Sequence, residues 1–360
     1  MVKSLPEPAS WLALAYASGL KLARVKTMVG TWCLEGGQPL SELLELPAGK
    51  MAARLGLSAE EAGRVAAAAS RVSEQAAWLA RLEGDGVQLV TRADPRYPPA
   101  LTRWLPPALQ PLLLFCRGEV GLLNQLAVAV VGAQGARAET VDFARELATL
   151  LGEEGLVVVG GLEPGVGQAA FDGALAAGGR TVAILPMGIG VFPVSSAAGQ
   201  DEALLVSPFH PDAKFDEGQA LARYKLVAGL AEAIFAVAAG ETGGARQAAD
   251  EALRQGKAVY VWDVDPAVEP AAAGHPALVE AGALPIADVS DVLDALEAIV
   301  AATLEPAGEE EPRAPATRGH EEPEEEKDVE APFDPQAALD LLSKSGRVPE
   351  ALRKRLKGLP

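Results

Sequence analysis

Apolar positions along this chain fall into two regimes. Over about residues 7–83 they recur at the three- and four-residue spacing of amphipathic helices, with breaks at Gly19, at Gly36 and Gly37, and around Pro47. From residue 87 onward, short and almost wholly apolar runs alternate with amphipathic stretches. The runs 127–131, 156–159 and 181–185 are rich in β-branched residues and carry no charge, which predicts central strands covered on both faces. Between the first two, Val141, Ala144, Leu147, Ala148 and Leu151 recur at helical spacing, with Glu139, Asp142, Arg145, Glu146 and Glu153 mostly on the other side. Strand, glycine turn, helix, strand, glycine turn, helix, strand predicts two right-handed crossovers and therefore a doubly wound, mostly parallel, Rossmann-like sheet of the α/β class. Further strands are predicted at 87–91, 112–116, 203–206, 233–238, 258–262 and 283–286, and further helices at about 218–231, 244–255 and 289–302.

This pattern divides the chain into a helical module (1–84), a sheet domain (85–303), a linker (304–332) and a short tail (333–360). In the helical module, Ser58-Ala-Glu-Glu61 is a capping box opening a helix that runs to about Ser70. Gly19 followed by Lys21, Arg24 and Lys26 is similar to half of a helix-hairpin-helix, whose backbone amides hold a phosphate; the competing reading is a packing module with a solvated basic face. The proline density of 93–111 predicts a non-helical linker lying against the sheet domain. From 305 to 331, eleven acidic and three basic residues with no periodicity predict a disordered, self-repelling segment. Asp334-Pro335 then starts a short helix, and the last 17 residues carry six basic groups (Lys344, Arg347, Arg353, Lys354, Arg355, Lys357) against one acid, a basic two-helix element.

Charge sharpens this division. The formal net charge is −18 over 360 residues, but 1–110 holds twelve basic and ten acidic residues, 111–300 ten and twenty-five, and 301–360 nine and fourteen. A nucleic-acid binder needs a basic footprint, so any such footprint here is local. Two cysteines, Cys33 and Cys116, are too few for a disulfide framework or a metal knuckle and fit a reducing cytoplasm. No apolar run reaches the roughly 20 residues that span a bilayer, so no membrane association is expected. The N-terminus has no signal-peptide pattern.

The candidate chemistry sits at the turns. Gly132-Ala-Gln134-Gly135 follows the first central strand and Gly160-Gly161-Leu-Glu-Pro-Gly165 the second, where glycines admit a ligand close to the backbone and helix N-termini favour an anion. Arg223-Tyr224-Lys225 offers two cations around an aromatic, able to hold phosphate and stack a base; a solvated helix face is the alternative. Thr242-Gly243-Gly244 heads another helix, with Arg246 inside it, as a third anion-ready turn. A strict dinucleotide fingerprint and a well-placed ribose-binding acid are missing, so no cofactor is expected. Ser195, Ser196, Ser207 and His210 form no nucleophile–base arrangement, and Asp263 and Asp265 read as loop solvation rather than a metal site, so no catalysis is expected.

The collinear set YPPAL (97–101), VAVVG (128–132), GLVVVGGLEPGVGQAAFDGALAAGGRTVAILPMGI (155–189), RYKLVAGLA (223–231) and ETGG (241–244), behind a helical module, resembles the DNA-processing protein A family, DprA/Smf. The resemblance covers about 9–300. It implies a sterile-alpha-motif-like helical domain before an extended Rossmann fold, a homodimer, binding of single-stranded DNA without sequence preference, and loading of a RecA-type recombinase during natural transformation. It departs at the turns. The family's Gly-Ser/Thr-Arg stands here as Gly132-Ala133-Gln134, and its Ser-Gly-x-Ala-x-Gly-Ile-Asp as Gly160-Gly161-Leu162-Glu163-Pro164-Gly165-Val166-Gly167, so an arginine and an aspartate are gone and Glu163 adds a negative charge. The family's Arg-Asn-Arg stands as Arg223-Tyr224-Lys225, both cations kept, and its winged helix has no room after the acidic linker. Each lost cation weakens binding to a phosphate chain and flattens its salt dependence, so weakened DNA affinity on an intact fold is expected. The implied function is a cytoplasmic, non-enzymatic, single-stranded-DNA-binding protein that protects DNA and hands it to a recombinase. The alternative is a Rossmann-type sensor of a nucleotide or phosphosugar, or a scaffold that binds neither. TGGARQAADE (242–251) echoes only the glycines of the lysine-decarboxylase-like phosphoribohydrolases.

Overall fold

The computed structural model describes residues 5–193 and 202–299, apart from 290, 294, 297 and 298. The acidic linker and basic tail expected after residue 303 lie outside the described residues, as does part of the helix expected over 289–302.

Residues 5–84 form six short helices: α1 (Glu7–Leu12), α2 (Leu22–Val29), α3 (Leu40–Glu45), α4 (Ala48–Leu55), α5 (Ala59–Ala69) and α6 (Val72–Gly84), with π-turns at Ala13–Ala17 and Gly30–Glu35. They break where the sequence predicts. The capping box is present, with Ser58 Oγ accepting from the Glu61 amide and the Glu61 carboxylate accepting from the Ser58 amide. Trp11, Leu12, Leu14, Met28, Leu40, Leu43 and Met51 are fully buried between these helices, each contributing about 1.5–3 kcal/mol by leaving water.

The sheet begins with β1 (Val87–Thr91), then α7 (Pro99–Trp104), β2 (Leu113–Gly118), β3 (Ala127–Gly132), α8 (Ala138–Glu153), β4 (Val157–Gly160), α9 (Val166–Ala176) and β5 (Arg180–Ile184). It continues with β6 (Ala203–Ser207), α10 (Glu217–Leu230), β7 (Ala233–Ala238), α11 (Gly244–Arg254), β8 (Ala258–Trp262), α12 (His275–Glu280) and β9 (Leu284–Ile286). Nine strands pair in the order β1-β2-β6-β5-β4-β3-β7-β8-β9. From β6 to β9 across the sheet every pairing is parallel, and only β2 runs against its neighbours β1 and β6. The predicted extended Rossmann-like sheet is therefore present, with every predicted strand in place.

One expectation is corrected. The proline-rich segment contains the helix α7, because Pro99 stands at the start of the helix, where its missing N–H has no intrahelical role. Tyr97, Leu101 and Leu105 of this segment are buried in the core, and the Tyr97 hydroxyl donates to the Pro111 carbonyl at 3.0 Å.

Alternation along the strands sorts the core into layers. Leu114, Cys116, Val157, Val159, Leu204, Val206, Ile234 and Ala236 face α7, α10 and α11 on one side. On the other side Val128, Val130, Val158, Phe235 and Val237 face α8 and α9. Over the remaining half of that second face, Leu113, Phe115, Ala203 and Leu205 share a core with the N-terminal helices, where Trp78 meets Phe115 edge-on at 6.4 Å. Among the described residues, no helix is long and apolar enough to cross a membrane.

Candidate functional site

The strand order reverses at β3: the chain continues through β4, β5 and β6 on one side of it and through β7, β8 and β9 on the other. Turns leaving the carboxyl ends of β3's neighbours therefore diverge to opposite faces and leave a crevice between them. A cleft of about 420 Å³ opens there. Its walls are Gly132, Ala133 and Gln134 after β3, Leu162, Glu163 and Pro164 after β4, Pro186 and Met187 after β5, Gly240 after β7, and Thr242, Gly243 and Gly244 entering α11. Phe215 and Ala220, Leu221, Arg223 and Tyr224 of α10 close it from one side, and Phe192 reaches its mouth. Gly165 draws the first two turns together: its φ is +91°, and a Cβ there would stand 2.7 Å from the Gln134 carbonyl oxygen.

The back wall is an ion pair. Arg223 Nη2 donates to Glu163 Oε2 at 2.7 Å, with 5% of one side chain and 7% of the other exposed, and the Tyr224 hydroxyl donates to Glu163 Oε1. The guanidinium also lies 5.0 Å over the Tyr224 ring, and Arg223 Nε is buried without a partner among the described residues. Burial, and then the neighbouring Glu163 charge, push the Tyr224 hydroxyl well above the ordinary range, so it stays a donor. A Cβ on Gly161 would collide with the Glu163 carboxylate, and one on Gly244 with the Tyr224 ring, so both glycines are needed for this wall to close.

Internal carboxylates also satisfy two of the helix N-termini around the cleft, those of α8 and α10. Glu269, 1% exposed, accepts from the Arg137 amide at 2.8 Å, from the Thr140 hydroxyl and from the Ala271 amide at 3.0 Å, and so caps α8. Burial alone would raise the Glu269 pKa, but the bonds from Thr140, Arg137 and Ala271 outweigh it and hold the carboxyl below its ordinary value. Asp216 caps α10 through the Gln219 amide at 2.9 Å. The N-terminus of α11, with Gly243 before it, has no side-chain cap among the described residues. Where phosphate would bind two of these helix ends, the chain supplies its own negative charge.

The structure places the expected site residues as follows. Gly132, Gln134, Arg223, Tyr224, Thr242, Gly243 and Gly244 line the cleft. Gly160, Gly161 and Gly165 shape the second turn behind it, and Gly135 is exposed. Lys225 points away from the cleft into a neighbouring groove, and Arg246 pairs with Asp250 at 2.8 Å. Residue-by-residue reading misses the apolar mouth of Met187, Phe192, Phe215 and Leu221; its one signal is Phe215, an aromatic standing among Lys214, Asp216 and Glu217 in a polar connection and 56% exposed. It also misses Glu269, for which no local signal exists. Among the described residues, no group of three or more His, Cys, Asp or Glu side chains is placed to hold a metal ion.

Comparison with known proteins identifies the lineage. The family model for DNA recombination-mediator protein A matches residues 88–297. The chain is 30% identical to the DNA processing protein DprA of Streptococcus pneumoniae over 155 residues, covering 42% of this chain and 55% of that one. It is 25% identical to the Bacillus subtilis DprA over 61% of this chain and 74% of that one, and 30% identical to a putative DprA of Mycobacterium tuberculosis over 75% of this chain and 67% of that one. The crystal structure of DNA processing protein A from S. pneumoniae superposes with a TM-score of 0.65 at 23% identity, covering 80% of this chain and 97% of that one. A solved structure of the Helicobacter pylori DNA processing protein A, described for its single-stranded DNA binding mode, superposes with a TM-score of 0.50 at 23% identity, covering 59% of this chain and 96% of that one. A nine-stranded sheet reversing at β3 behind a helical module, a family match over most of the sheet domain, and relatives alike over most of the chain agree: this chain belongs to the DNA recombination-mediator protein A family.

Proposed function

We propose that this chain binds single-stranded DNA along the carboxyl edge of its sheet, shields it, and passes it to a RecA-type recombinase, working as a cytoplasmic homodimer without catalysing a reaction. The observation that carries this reading is the cleft at the β3 reversal: an open crevice with an uncapped helix end at Gly243 and Gly244 and an apolar mouth at Phe192, Phe215 and Leu221. Exposed aromatic and aliphatic side chains beside backbone amides suit bases and phosphates of any sequence. Membership of the family supports the same reading, as does the single-stranded DNA binding ascribed to the H. pylori relative. Because Glu163 neutralises Arg223, binding in the cleft relies on stacking and amides more than on free cations. Fluorescence anisotropy with a labelled oligothymidylate tests this. Binding that weakens modestly with salt is expected, and no binding at low salt would remove the DNA role. Stimulation of recombinase filament assembly on the same oligonucleotide tests the transfer step.

A second reading, a sensor for a mononucleotide or phosphosugar, is favoured by the cleft's volume of about 420 Å³, which suits a small ligand. A thermal-shift panel of nucleotides separates the two, since a ligand at a hundred times its Kd adds about 2.7 kcal/mol of stability.

A further inference from the structure

Beside the cleft, on the same edge of the sheet, a second cavity of about 450 Å³ lies between the helical module and α10. Its floor is the apolar approach to β2, Leu109 and residues 111–113. Tyr16, Leu22 and Lys26 form the wall from the helical module, Lys225 and Leu226 the facing wall from α10, and Phe209 and His210 the end after β6. Arg223 lines both this groove and the cleft, and residues 220–225 of α10 form the ridge between them, so a chain leaving one cavity over that ridge enters the other.

Three features mark the groove as a binding surface. Tyr16 and Leu22 are apolar and 38% and 58% exposed, although the chain buries most of its large side chains. The His210 ring is fixed as a shelf: it stacks on Trp78 with centroids 4.9 Å apart and planes 17° from parallel, and meets Tyr16 edge-on at 4.7 Å. The charge is of one sign. In a chain of net charge −18, the lining holds, among the described residues, Lys26, Lys225 and Arg223 and no carboxylate. One acid stands beside the shelf: an Asp212 carboxylate oxygen lies 4.0 Å from His210 Nδ1. The Lys26 ammonium is steadied at the rim by the Ala108 carbonyl at 2.5 Å, and Lys225 has no hydrogen-bond or ion-pair partner among the described residues.

We infer that this groove is a second nucleotide subsite, in which one base of a single strand rests against Tyr16 and His210 while Lys26 and Lys225 hold its flanking phosphates. The assignment rests on the proposed DNA binding and extends it, carrying the strand out of a cleft whose own arginine is neutralised and onto two cations that, among the described residues, have no ion-pair partner and come from different parts of the fold. A polyanion with planar groups fits both features at once: the lysines supply charge without directional readout, and the ring shelf accepts any base face.

The test uses the full chain and a fluorescein-labelled oligothymidylate of about 20 nucleotides, longer than the roughly 4–16 nucleotides of a common single-strand site. The double variant Lys26→Ala/Lys225→Ala is expected to weaken binding at least tenfold and to lower the slope of log Kd against log salt by about 1.4, because each phosphate contact on a single strand contributes about 0.7. Lys225→Arg should retain wild-type binding. Tyr16→Ala should weaken binding about tenfold with the slope unchanged, and Tyr16→Phe should restore it. Unchanged melting temperatures show that these variants fold. Photocrosslinking with 5-iodouracil should label Tyr16 or His210. If the wild-type chain binds no oligonucleotide, the DNA role and the groove assignment fall together. If it binds, and the groove variants match it in Kd and slope with crosslinks confined to Phe215 and Leu221, the groove assignment alone falls, and its charge points to an acidic peptide instead.

Discussion

The Glu163 carboxylate stands where a bound anion would neutralise Arg223, with almost nothing of either side chain in solvent. Removing one partner of such a pair strands the other charge in a place that cannot solvate it, at a cost of about 3–5 kcal/mol. Glu163→Ala should therefore lose stability of that order in urea denaturation, and added sulfate should recover part of it by entering the vacated position; Glu163→Gln, which keeps an acceptor for Tyr224, should lose less. Sequence reading treats Glu163 as an added negative charge and Arg223 as a phosphate grip, because they lie 60 residues apart and only the fold brings them together. Lys257 offers a second residue-level test. Its ammonium is buried 4.4 Å over the Trp104 ring and donates to the carbonyls of Ala228 and Ala231 at 2.6 Å each, at the end of α10. Burial pulls its pKa down to about 7. Above that pH the folded chain holds fewer protons at this site than the unfolded chain, whose lysine titrates near its ordinary value, so stability rises with pH. Unfolding free energy should climb from pH 7 to about 8, before the thiols of Cys33 and Cys116, which burial keeps protonated in the fold, begin to ionise in the unfolded chain and oppose the rise, and Lys257→Met should flatten that climb.

At the scale of elements, the strands are legible because each is a short apolar run with one pairing face and one packing face or two packing faces, a pattern that little else produces. The helix α7 is not, since proline density argues against a helix unless one knows that Pro99 stands at its first position. The separation of Lys225 from Tyr224 is hidden for a related reason: successive residues on a helix point about 100° apart, and which direction is cleft or groove depends on what packs around α10. The junction of α10 with α11 depends on Gly244, which lies against the Tyr224 ring. Gly244→Ala puts a methyl group into that ring's space. Such overpacking should cost about 1–3 kcal/mol, read as a lower urea midpoint, and should disturb the cleft wall as well as stability.

For the molecule as a whole, the helical module is part of the architecture and not an appendage, because Leu113, Phe115, Ala203 and Leu205 of the sheet have no cover without it. A fragment from residue 85 onward exposes that apolar face and should elute as aggregate in size-exclusion chromatography, whereas the intact chain stays discrete. The same junction creates the groove, so a boundary that sequence places at 84 is also where a surface forms that neither part holds alone. The α8 cap extends this dependence along the chain. Glu269 closes a helix that begins 131 positions earlier, between partners separated by 132 and 129 residues. During synthesis the first crossover thus emerges from the ribosome with its helix entrance open, and it waits for almost the entire sheet to be translated before the closing residue arrives. The crossover at the reversal point is thus completed only by the segment after β8, which ties assembly of the cleft to arrival of that segment.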